Sequence, residues 1–177
     1  MKLLTLFLLL ATTTFAQQKA WREILAQRLA YFGDGNWIVV AESAFPVHAE
    51  PGVEMILSDD SQLNTVRHLL ESLAKDGHLR PLVYADAELK HVPEQDAPGI
   101  EAFRQLLTGL LEKLLPQQPV AEAPHISMMQ RLDQAAKSLN VLIIKTNGTL
   151  PYTSVYIELK PGYWQDDAER RLRQSFQ

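Results

Sequence analysis

Apolar residues recur along this chain in two patterns, one of helical period and one of short β-type runs. The helical pattern predicts amphipathic helices at residues 19–32, 62–76, 99–115 and 125–139, and a charged helix closes the chain near 165–175. The short apolar runs predict strands at residues 37–41, 53–57, 79–84, 141–144 and 152–159. Strands that alternate with helices favour an α/β fold, here a three-layer α/β/α sandwich with helices on both faces of the sheet.

The connector at 116–124, rich in proline and glutamine, is too short to divide two domains. Neither side of it carries enough apolar positions for a complete core of its own. The sequence therefore predicts a single domain with no internal repeat.

The first residues have the pattern of a secretory signal. Lys2 precedes an apolar run at 3–11, and small residues stand at Thr14 and Ala16. A run of about 10 apolar residues is too short to span a bilayer, which takes about 20. We predict cleavage after Ala16, a domain at 17–177 without a membrane span, and a periplasmic or secreted location. The alternative is an uncleaved anchor.

Composition excludes several classes of protein. The 177 residues carry a formal net charge of -4, and 46% are hydrophobic, as in ordinary soluble domains. Basic residues at 170–173 are interleaved with acidic ones at 166–169, which indicates a solvated helix face and not a nucleic-acid footprint. The chain has no cysteine, so an exported form depends on its core or on oligomerisation for stability.

The common catalytic motifs are absent as well. The sequence contains no phosphate-binding glycine loop, zinc-protease helix or serine-hydrolase elbow. No two of its five histidines have metal-ligand spacing, so we predict no metal site.

Polar residues at strand ends are the remaining candidates. Asp34 lies between two glycines before the strand at 37–41, and Glu42 follows that strand. The simpler interpretations are a turn residue for Asp34 and a surface carboxylate for Glu42. A fully extended segment separates them by about 20 Å, so they form a pair only if the loops fold back.

Two segments resemble one protein family. Residues 33–46 (GDGNWIVVAESAFP) are similar to a signature of Gly-His-Gly-Asp, an apolar strand and Asp-Ala-x-x-Pro. Residues 145–154 (KTNGTLPYTS) are similar to Thr-Gly-Glu-x-x-Pro-Tyr-x-Asn. Both signatures belong to the RbsD/FucU family of D-ribose pyranase and L-fucose mutarotase, and the resemblance spans roughly residues 19–164.

The resemblance implies an α/β subunit in a ring-like homo-oligomer, with sites between neighbouring subunits. It implies a monosaccharide substrate whose ring opens and recloses, which interconverts anomers or ring forms. One group removes the anomeric hydroxyl proton while another protonates the ring oxygen, and no cofactor is needed.

Catalytic positions transfer from the family with substitutions. Asp34 stands at the catalytic histidine and Glu42 at the strand-end aspartate. His125 lies near the later histidine of the family, and Gln130 is the competing match. Asp34 can replace a histidine only if burial or Glu42 raises its pKa.

The sugar-contacting tyrosine of the family corresponds to Tyr152, and Ser154 stands where the family has asparagine. The resulting hypothesis is an exported mutarotase that uses Asp34, Glu42 and His125. The alternatives are a non-catalytic relative that binds sugar or only assembles, and an unrelated exported hydrolase.

An acidic loop at 84–88, followed by residues 93–99, comes after a strand end. It either lines a polyol site or caps the helix at 99–115.

Overall fold

The computed structural model describes residues 20–116 and 118–176, so the predicted signal at 1–16 lies outside the described residues. These residues form a six-stranded sheet of β1 (Trp37–Ala41), β2 (Val53–Leu57), β3 (Leu79–Asp86), β4 (Ala121–Ala123), β5 (Val141–Lys145) and β6 (Val155–Pro161). The order in space is β2-β5-β1-β6-β3-β4. Neighbouring strands are parallel except at β6, which is antiparallel to β1 and β3. Five carboxyl ends therefore share one sheet edge with the start of β6; we call it the carboxyl edge.

Helices cover both faces of the sheet. They are α1 (20–29), α2 (Gln62–Asp76), α3 (Ile100–Leu114), α4 (His125–Ala135) and α5 (Asp166–Gln174), with a 3-10 turn at Ala87–His91. Helices α1, α2 and α3 pack on one face and α4 on the other, which confirms the predicted three-layer sandwich. Within the described ranges, no helix is long and apolar enough to cross a bilayer.

The caps of α2 are those that the sequence predicts. The Ser61 hydroxyl accepts a hydrogen bond from the Asn64 amide at 3.3 Å, and Gly77 ends the helix with a left-handed φ of 74°. Side chains of α2 then pack beside the central strand β1, whose five residues are all buried. Burial on both faces explains why β1 reads as a continuous apolar run.

Most element bounds differ from the prediction by a few residues, and four differences have a clear physical reason. Strand β4 lies in the predicted connector, where three residues are too few for a period-two pattern. Strand β3 continues to Asp86, because its pairing with β4 extends that far. Strand β6 begins only at Val155, since Tyr152 has a left-handed φ of 56°. Helix α4 ends at Ala135 in a turn that packs against Gly52, where a Cβ would overlap that turn's carbonyls.

A candidate acid–base site at the carboxyl edge

Four polar side chains meet at the carboxyl edge because of the strand directions. Glu42 directly follows β1, Asp86 ends β3, His125 comes two residues after β4, and Ser154 directly precedes β6. Loops outside the carboxyl ends of strands are where open α/β sheets place their binding sites. The structure thus brings Glu42, His125 and Ser154, three of the predicted site residues, to one edge.

Glu42 and Ser154 form a direct pair. Both residues are buried, and the Ser154 hydroxyl donates a hydrogen bond to Oε2 of Glu42. The loop that carries Glu42 is fixed by backbone bonds, from Ser43 N to Gly148 O at 2.7 Å and from Phe45 N to Glu42 O at 3.1 Å. Glu42 therefore has a defined position and is not the surface carboxylate of the simpler interpretation.

Asp86 binds the histidine of the site. Both of its carboxylate oxygens lie 3.1 Å from Nδ1 of His125, and the Tyr156 hydroxyl donates to Oδ1 of Asp86 at 3.0 Å. The His125 backbone amide donates to Glu88 at 3.0 Å, so two acidic residues fix this histidine. The Asp86 side chain is fully buried, whereas 27% of the His125 side chain is exposed. The Nδ1 side of the imidazole is thus fixed by buried Asp86, whereas part of the ring is exposed to solvent.

Burial dominates the electrostatics of this cluster. It raises the pKa of Asp86 above its ordinary value of 3.8, although His125 and the Tyr156 hydroxyl act in the opposite direction. Burial and the Asp86 charge also raise the pKa of Tyr156, so this phenol stays a hydrogen-bond donor. The Glu42 charge also raises the pKa of both Asp86 and Tyr156.

Aromatic rings form the wall of the site. The Tyr152 ring meets His125 edge to face at 5.7 Å, and the buried Phe45 ring lies 6.4 Å from His125. The left-handed backbone of Tyr152 costs on the order of 1 kcal/mol, since it is not a glycine. Such strain, held by the surrounding structure, is a feature of functional sites.

Asp34 lies apart from these residues. It precedes β1 at the other edge of the sheet, its side chain is 61% exposed, and its carboxylate pairs with Lys160 at 3.3 Å. The five residues of β1 span about 17 Å, so Asp34 and Glu42 of one chain form no pair. Gln130 is exposed on α4, about 140° around the helix from His125, and is not brought to the cluster.

The acidic residues at 84–88 and 93–99 make two kinds of contact, of which the helix cap is one of the two predicted roles. Asp86 and Glu88 hold His125 at the carboxyl edge. Glu94 accepts hydrogen bonds from the Gly99 and Glu101 amides and so caps α3, and these bonds lower the pKa of Glu94. Tyr84 stays outside the cluster, because its hydroxyl donates to Glu158 at 3.2 Å.

A cavity lies next to the cluster. It has a volume of about 560 Å³ and is lined by residues of α3 and β4, by residues 115–116 and by residues 118–120. Ala85 faces this cavity, whereas the side chain of the next residue, Asp86, points to the opposite face of the sheet, as alternation along a strand requires. Asp86 nevertheless belongs to the lining of the cavity, so the cavity adjoins the acid–base cluster.

Sequence reasoning missed Asp86 and Tyr156 as individual site residues. Tyr156 lies within the predicted strand at 152–159, and alternation places its side chain on the opposite face from those of Val155 and Ile157. A buried tyrosine hydroxyl needs a hydrogen-bond partner, and that requirement was the available signal.

Comparisons with known proteins give matches of structure only. A scan against models of protein families finds no match, and neither does a search of curated proteins. The structure is similar to that of Bacillus subtilis RbsD complexed with D-ribose, with a TM-score of 0.53, 21% identity, and coverage of 77% of this chain and 90% of that one. It is also similar to FucU from Bifidobacterium longum, with a TM-score of 0.54, 14% identity, and coverage of 77% and 92%.

These likenesses show that the chain has the fold of RbsD/FucU structures, as the two sequence segments predicted.

Proposed function

We propose that this protein is a monosaccharide isomerase of mutarotase or pyranase type, which interconverts the anomers or ring forms of a sugar by acid–base catalysis. The observation that carries the proposal is the meeting of Glu42, Ser154 and the Asp86–His125 pair at one edge of this fold. RbsD, which has the same fold, has been solved in complex with D-ribose.

The chemistry assigns complementary roles to two side chains. The Glu42 carboxylate takes the proton of the anomeric hydroxyl, while protonated His125 gives its Nε2 proton to the ring oxygen. The bond between the anomeric carbon and the ring oxygen breaks, and the anomeric hydroxyl becomes a carbonyl. After rotation of the carbonyl, both proton transfers reverse and the ring recloses. Both groups return to their starting states, so no cofactor is required.

The remaining residues favour a neutral sugar. Tyr152 offers a ring for the apolar face of a sugar, and Ser154 holds Glu42 in place. Among the described residues, no lysine or arginine bonds to Glu42, Asp86 or His125, so the site has no counter-charge for a phosphate. Its two carboxylates repel anionic sugars.

We further propose a homo-oligomer in which Asp34 and Gln130 contribute to the site of a neighbouring subunit. Exposed apolar side chains support this assembly, because Val47, Ile126 and Tyr152 lie in or beside the loops around His125. The signal pattern of residues 1–16 supports export to the periplasm or the medium.

Asp34 also supports a second candidate function, a sugar-binding relative without catalysis. The residue at the family's histidine position is here a carboxylate that forms an ion pair with Lys160. An ion-paired carboxylate is a poor substitute for a side chain that titrates near neutrality.

Saturation-transfer NMR with ribose, fucose and galactose tests the first candidate on residues 17–177. We expect exchange of ring forms above the buffer rate for a neutral sugar and none for ribose 5-phosphate. Glu42→Gln should slow the exchange by roughly 100-fold or more, because it removes the base. The control Glu71→Gln changes an exposed carboxylate on α2 and should have no effect. Absence of exchange for every sugar would refute the proposal.

Calorimetry with the same sugars separates the second candidate. Binding without exchange would support it, and a gain of exchange in Asp34→His would identify that residue as the cause. An unchanged rate in Asp34→His, beside an active wild type, would leave Asp34 outside the reaction.

A further inference from the structure

The carboxylate of Asp86 receives two donors from different elements. Tyr156 on β6 donates its hydroxyl at 3.0 Å, and Nδ1 of His125, at the start of α4, lies at 3.1 Å. The side chain of Asp86 has no exposed surface, so water does not compete for these bonds. The position of His125 thus depends on a contact with a carboxylate that is shielded from solvent.

This geometry selects one tautomer of His125. An ionised carboxylate only accepts hydrogen bonds, so Nδ1 of His125 must carry a proton to bond to it. The Tyr156 hydroxyl lies 3.2 Å from Nδ1 as well, but it donates to Asp86 and cannot also donate to a protonated nitrogen. The lone pair of the neutral imidazole is therefore on Nε2. Within the described part of the chain, Nε2 has no hydrogen-bond partner.

Strand β6 links this contact to the other half of the site. Ser154, which bonds to Glu42, and Tyr156, which bonds to Asp86, are two positions apart and share a face of the chain. Two residues of a strand span about 6.6 Å. One short segment therefore sets the separation between the Glu42 side and the His125 side of the cluster.

We propose that Asp86 and Tyr156 are positioning residues that keep the proton of His125 on Nδ1, so that Nε2 is the atom that exchanges protons with the sugar. This inference rests on the proposed function for the identity of the substrate. The tautomer itself is a property of the free protein and is measured without sugar.

NMR of the protein labelled with ¹⁵N-histidine tests the tautomer, and sugar exchange tests its consequence. The His125 signals are assigned with His125→Gln. In Asp86→Asn the amide can donate to Nδ1, so we expect the Nε2-protonated form and a fall in kcat of roughly 100-fold or more, with little change in KM. In Tyr156→Phe one restraint on Asp86 is lost, and we expect mixed tautomers and a fall of about 10-fold.

Two matched controls accompany these variants. Asp133→Asn changes the other described His–Asp pair that involves α4, in which His48 Nδ1 lies 3.1 Å from Asp133. Tyr84→Phe removes a hydroxyl from the cross-strand partner of Tyr156. Both should leave His125 and sugar exchange as in the wild type. Amide spectra of every variant establish that it is folded.

The outcomes separate the two proposals. An unchanged tautomer in folded Asp86→Asn would overturn the positioning role, even where the wild type is active. A wild type that exchanges no sugar, but loses the Nδ1 proton in Asp86→Asn, would refute the proposed function and support the positioning of His125.

Discussion

The buried carboxylate of Asp86 binds His125 and lowers the stability of the folded protein. Its carboxylate is desolvated, and the two donors that it receives compensate only in part, since its pKa remains raised. The native state therefore binds a proton at this carboxyl more tightly than the unfolded chain does. The free energy of unfolding falls as the pH rises from the ordinary value of 3.8 to the higher native pKa.

Removal of the Asp86 charge should remove this fall in the free energy of unfolding with rising pH. We expect Asp86→Asn to gain stability relative to the wild type as the pH rises through that window, and to keep the gain at neutral pH. Urea unfolding at a series of pH values measures the difference. Asp133→Asn, an exposed carboxyl, is the control and should show no such gain. A difference that stays constant with pH would contradict the prediction.

At the scale of elements, α2 is joined to the site by one side chain. The buried amide of Gln62 donates to Val40 O at 3.2 Å and to Thr153 O at 2.6 Å, and it accepts from the Thr146 hydroxyl at 2.8 Å. These partners belong to β1, to the residue after β5 and to the segment before β6. Gln62 thus fixes the segment that delivers Ser154.

Truncation of the Gln62 side chain should destabilise the protein. Gln62→Ala removes three hydrogen bonds to buried polar groups, and we expect a loss of about 3 kcal/mol in the free energy of unfolding. Chemical denaturation measures it. Gln105→Ala, at an exposed position of α3, should change stability by less than about 0.5 kcal/mol. A similar loss in both variants would argue against a special role of Gln62.

The elements that could be predicted from the sequence are those with long periodic patterns. Helix α3, predicted at 99–115, is found at Ile100–Leu114, and β5, predicted at 141–144, is one residue longer. Strand β4 could not be predicted, because pairing with β3 and not its own composition makes it a strand. The spatial order of the strands was not predictable either, since β6 lies between β1 and β3.

The site was predictable to the extent that motifs mark strand ends. Glu42 and Ser154 lie in the two segments that carry the resemblance, and they form a hydrogen bond because these segments flank neighbouring strands. Asp34 does not join them in one chain, since a motif records nearness in sequence and a strand separates its two ends. Asp86 and Tyr156 meet 70 positions apart in the chain, which no local pattern reveals.

At the scale of the whole molecule, the two faces of the sheet are unequally covered. Among the described helices that contribute to the two core clusters, α1, α2 and α3 share one face of the sheet and α4 packs on the other. Near the carboxyl edge, Val47 is 79% and Ile126 is 64% exposed. Apolar side chains grouped around a site are typical of a surface that another molecule covers.

The proposed assembly predicts a shift in molecular mass. Ile126→Glu places a charge among these apolar side chains, so we expect light scattering after size exclusion to report a smaller species than for the wild type. Leu106→Glu, an equally exposed leucine on α3, is the matched control and should keep the wild-type mass. A monomeric wild type, or equal masses for both variants, would contradict the assembly proposed at this edge.

The attachment of His125 has a consequence for how such a site changes in evolution. The histidine follows β4, an edge strand of three residues that pairs only with β3. Loop segments accept insertions and deletions more readily than the strands that they join. A change of length in the segment at 115–120 would shift the imidazole relative to Glu42 and leave the central strands intact. The geometry of the candidate site can thus change through this one segment, without redesign of the core.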